Sequence, residues 1–156
     1  MNFNQTLFQY RLIQVNIRGV QSNKENLEHY LEENHYPEIV TLNETMLRGD
    51  KGIKIKGYYC AARREPTGMS VKHGSMILVK DTIQDVIELE FLKTQFQEEV
   101  IGIEIKKNDS RPGLNIVTYY NPPGNRINPG IFLRNNYNEN CTIIGGDLNC
   151  KHHAWG

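Results

Sequence analysis

Apolar and polar positions along this chain sort into short runs separated by turn residues. Leu12-Ile13-Gln14-Val15-Asn16 carries apolar residues on both faces, which predicts a strand ending in a polar asparagine before Ile17-Arg18-Gly19. A helix signal follows: Ser22 as N-cap with Glu25 three residues on makes a capping box, and Leu27, Tyr30 and Leu31 supply an apolar stripe at i, i+3, i+4. Asn34 and Pro37 close that helix. Ile39-Val40-Thr41-Leu42 is β-rich and apolar and ends in Asn43-Glu44. Strand, helix, strand opens an α/β layer, and both strands finish in a polar residue.

Residues 48–72 read as irregular, with Gly57-Tyr58-Tyr59 and Arg63 to Gly68 as turn-rich pieces. Met76-Ile77-Leu78-Val79 predicts a buried strand, and Ile101, Ile103 and Ile105 alternate with Gly102, Glu104 and Lys106 as a half-exposed one. Asn108 to Gly113 has the composition of a hairpin turn, and Leu114 to Tyr120 returns as a strand halted by Asn121-Pro122-Pro123. From Gly124 to Asn140 the chain is Asn-rich and poorly patterned, with Ile131-Phe132-Leu133 as the start of a short helix. Thr142-Ile143-Ile144 is long enough for a buried strand, and Gly145-Gly146 ends it. Asp147 and Asn149 follow two positions apart, so extended backbone would point both side chains to one side. A carboxylate there can accept a proton or hold a hard cation, and an amide can donate to a phosphate oxygen. The competing reading is a turn whose Asx side chains bond their own backbone. There is no internal repeat or linker, so residues 1–156 are expected to form one domain.

Composition narrows this picture little. With 38% hydrophobic and 23% charged residues, the chain has a globular protein's balance, and no apolar run is long enough to span a bilayer. The first residues lack the basic-then-apolar build of a secretion signal, and Cys60, Cys141 and Cys150 are too few for a disulfide scaffold; both favour a reducing, intracellular setting. Cys141, Cys150, His152 and His153 are zinc-ligand types, but their spacing matches no paired-ligand pattern. Net charge is zero, yet its distribution is uneven. Arg48 to Lys80 holds eight basic and two acidic residues, and Asp81 to Glu104 seven acidic residues and one lysine. The first tract could lie along a phosphate backbone, or the two could be solvated faces that compensate each other.

Asn16, Glu44, Tyr120 and Asp147 with Asn149 all stand at or just past the end of a predicted strand, where the loops of layered α/β folds assemble sites. The segments that hold them, QVNIRG, IVTLNET, VTYYNPP and IIGGDLN, resemble in this order the motifs of the endonuclease/exonuclease/phosphatase superfamily. The likeness is closer still to the endonuclease domain of non-LTR retrotransposon polyproteins, whose motif after the Asp runs on as in Asn149-Cys150-Lys151-His152-His153-Ala154-Trp155-Gly156. It covers the chain from Leu12 onward.

The resemblance implies a layered α/β sandwich of the deoxyribonuclease I-like type and a Mg²⁺-dependent DNA endonuclease, with Mn²⁺ as the alternative cation. It implies a metal ligand at Glu44, an amide beside metal and phosphate at Asn16, a phosphate-site tyrosine at Tyr120 and an acid/base carboxylate at Asp147. Asn149 would orient the scissile phosphate or the attacking water. Period two puts Tyr119 on the opposite face, which favours Tyr120. Lys151, His152 and Trp155 would support packing around the site. DNA, and further domains of a reverse-transcriptase polyprotein, would be the partners, and the nucleus the place of action. The family's closing Asp-His pair and last strands have no counterpart in these 156 residues. The fold is therefore expected to be incomplete at its C-terminus, with apolar surface exposed and little or no nuclease activity from this chain alone. The alternatives are an inactive remnant that at most binds nucleic acid, and a superfamily phosphatase or phosphodiesterase acting on a smaller substrate.

Overall fold

Period-two alternation gives each strand two faces, and here those faces assemble two stacked sheets. The computed structural model describes residues 9–49, 52–66, 73–109 and 111–149. In the first sheet β1 (Leu12–Asn16) runs parallel to β2 (Ile39–Asn43), and β4 (Ser75–Lys80) pairs antiparallel with both β2 and β3 (Tyr58–Arg64). The second sheet is ordered β5 (Val86–Glu88), β6 (Glu99–Ile105), β7 (Leu114–Tyr120) and β8 (Cys141–Gly145), antiparallel except for the parallel β7–β8 pair. Helix α1 (Lys24–Glu33) makes the crossover from β1 to β2 and buries Leu27 and Leu31 against Val40, Leu42, Met76 and Leu78. On the far side, α2 (Phe91–Gln95) and a 3₁₀ turn, Pro129–Phe132, set Leu92 and Ile131 against Val100, Val117 and Tyr119.

Between the sheets Ile39, Ile77 and Val79 meet Ile101, Ile103, Ile105 and Ile116. Burying each such side chain favours folding by about 1.5–3 kcal/mol relative to leaving it exposed. The same inward faces change character toward one end of the sandwich. Two residues along from Thr41 stands Asn43; beside Ile77 stands Ser75; before Ile101 stands Glu99; and beyond Ile116 stand Thr118 and Tyr120. Asn43, Ser75, Glu99, Thr118 and Tyr120 are all buried. One end of the interior is thus apolar and the other polar.

Several expectations need correction. Asn23, not Ser22, stands at the N-cap of α1, and the capping box does not form. Ser22 Oγ donates to the Gly19 carbonyl instead, while Asn23 Nδ2 ties the carbonyls of Ile17, Arg18 and Gly19. Tyr30, placed in the apolar stripe, is exposed. The segment read as irregular contains β3, whose Arg63 and Arg64 are strand residues; the run Tyr-Tyr-Cys-Ala-Ala-Arg-Arg has no alternation to reveal it. Strand β6 is buried on both faces rather than half-exposed, because Gly102 lets Leu89 and Leu92 close over it. Strand β8 is a half-exposed edge and not a buried strand, with Ile143 42% exposed.

The basic tract does not form one charged face among the described residues. Arg64 turns inward to the carbonyls of Phe96, Gln97 and Val100, and Lys80 bonds the Tyr36 carbonyl and pairs with Glu38. No helix among the described residues is long and apolar enough to cross a membrane.

Candidate active site

The polar end of the sandwich is where the strand-terminal residues gather. Asn16 ends β1, Glu44 follows β2, Tyr120 ends β7, and Asp147 follows the glycine pair after β8. Asn16 Nδ2 donates to Asp147 Oδ2 at 3.2 Å, and Tyr120 OH donates to Glu44 Oε1 at 3.2 Å. Each pair joins a residue of the first sheet to one of the second, across separations of 131 and 76 positions. Tyr119 points the other way and accepts from the Asn128 N–H at 3.3 Å, as period two requires.

Backbone strain marks the same corner. Arg18, Glu44 and Met46 hold φ of 48°, 55° and 56°, in the left-handed region that costs side-chain-bearing residues on the order of 1 kcal/mol or more. A ladder outside the strands keeps them there. Ile17 N–H donates to the Asn43 carbonyl, Gly19 N–H to Glu44, Val20 N–H to Thr45, and Thr45 N–H to Gly74, all within 2.8–3.0 Å. The loops after β1 and β2 and the one before β4 are therefore one interlocked unit, and Glu44 cannot leave its orientation without breaking it.

Asp147 is held as firmly. Its carbonyl accepts from Asn121 N–H at 2.8 Å, and its own N–H donates to Asn43 Oδ1 at 3.3 Å. Gly146, with φ of 146°, lies flat against Tyr119; a Cβ there would fall on the Tyr119 carbonyl, within 2.7 Å of that residue's N and C atoms. The GG of the sequence is thus a close backbone approach that seats Asp147 beside Tyr120.

Asn149 departs from the extended geometry expected of it. Its φ is 43°, its N–H bonds Asp147 Oδ1 at 3.3 Å, and its Nδ2 donates to the Asn121 carbonyl at 2.9 Å. The turn in which an Asx side chain bonds its own backbone is therefore present, alongside the contact between Asp147 and Asn16. Asn149 reaches the cluster through Asp147 rather than by touching Glu44 or Tyr120. Residues 150–156, with Cys150, Lys151, His152, His153 and Trp155, lie outside the described residues.

Electrostatics follow from the crowding. Burial pushes the Tyr120 phenol up to about 12, and the Glu44, Asp147 and Glu99 carboxylates add to the rise. Tyr120 is consequently a neutral O–H donor at any physiological pH. Burial also raises the Glu99 carboxyl, against opposing hydrogen bonds from Ser75 Oγ at 2.7 Å and Gly74 N–H at 2.8 Å.

The sequence reading passed over Glu99, Asn43, Ser75, Thr118, Asn121 and His73, whose ring packs on Tyr120 at 5.3 Å between centroids. Four of them were detectable by period two, since each continues the inward face of an apolar strand.

For a cation, the cluster offers hard oxygen donors: the Glu44 carboxylate and the side-chain oxygen of Asn16, whose nitrogen is turned to Asp147. Among the described residues no three His, Cys, Asp or Glu side chains gather into a cage. One carboxylate with neutral oxygen donors suits Mg²⁺ or Mn²⁺, ions that keep much of their water and share a substrate phosphate.

No family model matches the sequence, and no curated protein matches it. Solved structures do. The endonuclease domain of TRAS1, a telomere-specific non-LTR retrotransposon, superposes with a TM-score of 0.64 at 19% identity over 95% of this chain. The AP endonuclease LMAP of Leishmania major gives 0.56 at 15% identity over 75% of the chain, and 41% of its own. ANGEL2, a 2',3'-cyclic phosphatase, gives 0.52 at 15% identity over 88% of the chain and 53% of its own. The chain spans 63% of the TRAS1 domain, less than two thirds of its length. The chain has the layered fold of the deoxyribonuclease I-like endonuclease/exonuclease/phosphatase superfamily.

Proposed function

We propose that this chain carries the hydrolytic centre of a metal-dependent DNA endonuclease of the retrotransposon type. The observation that supports this reading best is the meeting of Asn16 with Asp147 and of Tyr120 with Glu44 across the two sheets. Glu44 and Asn16 would hold a Mg²⁺ or Mn²⁺ ion. Such an ion, when bound, supplies positive charge that offsets the negative charge built up on a phosphodiester under attack. Tyr120, kept protonated, donates its one O–H proton to Glu44 here, and would turn it to a phosphate oxygen once Glu44 is engaged by the ion. Asp147 is the carboxylate positioned to exchange a proton with the attacking water or the leaving oxygen, its two oxygens oriented by Asn16 Nδ2 and by the Asn149 N–H. Asn149 stands beside it and buttresses the turn.

The test is nicking of supercoiled plasmid by the purified chain with Mg²⁺, with EDTA as control. Nicking is expected to be weak, as the sequence reading expects of this chain alone, to need Mg²⁺, and to fall at least tenfold in Glu44→Gln and in Asp147→Asn. Nicking that survives both substitutions, or no nicking under any divalent cation, refutes the reading for this chain. ANGEL2 keeps a phosphatase reading in view; Mg²⁺-dependent release of phosphate from a 2',3'-cyclic nucleotide, with plasmid left intact, would favour it.

A further inference from the structure

One buried amide links four segments around this site. Asn43 is fully buried, and its side chain contacts four other segments. Its Oδ1 accepts from Gln14 Nε2 on β1 and from the Asp147 N–H, both at 3.3 Å. Its Nδ2 donates to Ser75 Oγ on β4 at 3.1 Å and to Thr118 Oγ1 on β7 at 3.4 Å. Ser75 Oγ in turn donates to Glu99 Oε1 at 2.7 Å. The line from Glu99 through Ser75 and Asn43 to the Asp147 backbone crosses both sheets.

The direction of every bond in this line is set at the Glu99 end. Glu99 Oε1 accepts from Ser75 Oγ, so the single Ser75 hydroxyl proton is committed to Glu99. The Ser75 oxygen is then left as an acceptor, and only the NH₂ side of Asn43 can face it. That places Oδ1 toward Asp147, where the backbone N–H needs an acceptor. Reversing the amide would set its oxygen against Ser75 and its NH₂ against the Asp147 N–H. Those groups would then be left without partners, which disfavours the reversed amide.

We propose that Asn43 is the positioning residue of the candidate active site, its amide orientation imposed by Glu99 through Ser75, and that this relay holds Asp147 in register with Asn16 and Glu44. The catalytic meaning of Asp147 rests on the endonuclease reading above; the relay itself does not. Asn43 also precedes Glu44 in the chain, so one side chain couples both strand ends.

Hydrogen exchange of backbone amides, read residue by residue by NMR on the full chain, tests this without any need for activity. In Asn43→Ala and in Glu99→Leu the Asp147 amide should exchange at least tenfold faster than in the wild type, while Ile101, Ile103 and Ile116 keep their rates. Glu99→Gln should restore wild-type exchange at Asp147, because its carbonyl still accepts from Ser75 and Gly74. If Asn43→Ala does not fold, Ser75→Ala, which deletes the middle of the relay, is held to the same standard. An unchanged Asp147 amide overturns the proposal, and so does a parallel acceleration of all core amides, which would mean a merely structural role. If the chain nicks DNA, Glu99→Leu should lower kcat at least tenfold with KM unchanged, and Glu99→Gln should not. If no protein nicks DNA but the exchange pattern holds, the endonuclease reading fails and the relay stands.

Discussion

The adjacent glycines at the end of β8 should respond in opposite ways to the same substitution. Gly145 lies in the strand, paired with Thr118, and a Cβ there meets only Gln14 Oε1 at 3.4 Å, an ordinary contact with a movable side chain. Gly146 has φ of 146°, and its Cβ would land on the Tyr119 backbone, with N and C both at 2.7 Å. Tyr119 is fully buried and pairs with Val100 in the middle of the second sheet, so it cannot retreat. Gly146→Ala therefore combines a disallowed backbone conformation, about 1–3 kcal/mol, with overpacking against rigid main chain, about another 2 kcal/mol. A loss on the order of 3–5 kcal/mol follows. Gly145→Ala should be neutral, or slightly stabilising through the roughly 0.5–1 kcal/mol that alanine gains over glycine in regular structure. Urea unfolding followed by tyrosine fluorescence and circular dichroism reads both. With a slope of about 2 kcal/mol per molar, the Gly146→Ala midpoint should drop by about 1.5–2.5 M and that of Gly145→Ala should stay within about 0.5 M. Two variants with equal midpoints would refute the close approach at Gly146, and with it the seating of Asp147 against β7.

Further outcomes are expected at three places. Removing Mg²⁺ with EDTA should abolish plasmid nicking to the same extent as Glu44→Gln does, and re-adding Mn²⁺ should restore it for the wild type only. Glu99 carries a carboxyl raised by burial above the ordinary 4.5, so the folded protein binds its proton more tightly than the unfolded chain does. Its ionisation then detracts from stability as pH rises through the folded value. Glu99→Gln should accordingly unfold at a higher urea concentration than the wild type at pH 7, with the difference shrinking toward pH 4.5; a difference that grows on acidification contradicts the burial argument. Glu38 shows the opposite sign. Burial raises its carboxyl, but two hydrogen bonds from Arg11, at 2.9 and 3.1 Å to Oε2, outweigh that and leave it below the usual range. Its contribution is present above pH 4.5 and fades as pH falls through the folded value. Wild type and Glu38→Gln should differ in urea midpoint at pH 7 and converge at low pH, and a gap that persists at pH 2 would be inconsistent with this pairing.

The main strands were legible in the chain because each is a short apolar run bounded by polar or turn residues: β1, β2, β4, β7 and β8 lie within a residue or two of where the pattern placed them. Their polar last residues were legible as well, since an Asn, Glu, Tyr or Asp that ends an apolar run stands out against it. Three elements escaped. Strand β3 has no alternation, because its arginines bond backbone carbonyls rather than solvent, and β5 and α2 are too short to show a period.

Sequence alone determined which residues end strands, that Tyr120 and not Tyr119 shares the inward face, and a motif order resembling that of a family with this layered fold. Tertiary structure alone decided what those residues meet. Asn16 and Asp147 are separated by 131 positions, and only the stacking of two sheets makes them partners. The same stacking made Glu99, Ser75 and Asn43 into one buried line, although each reads in sequence as an ordinary polar residue beside a strand. Local pattern encodes which face a side chain takes, because pleating depends on nearest neighbours. Which polar groups meet across the interior depends on how the two sheets are laid against each other, and that is a property of the whole packed chain.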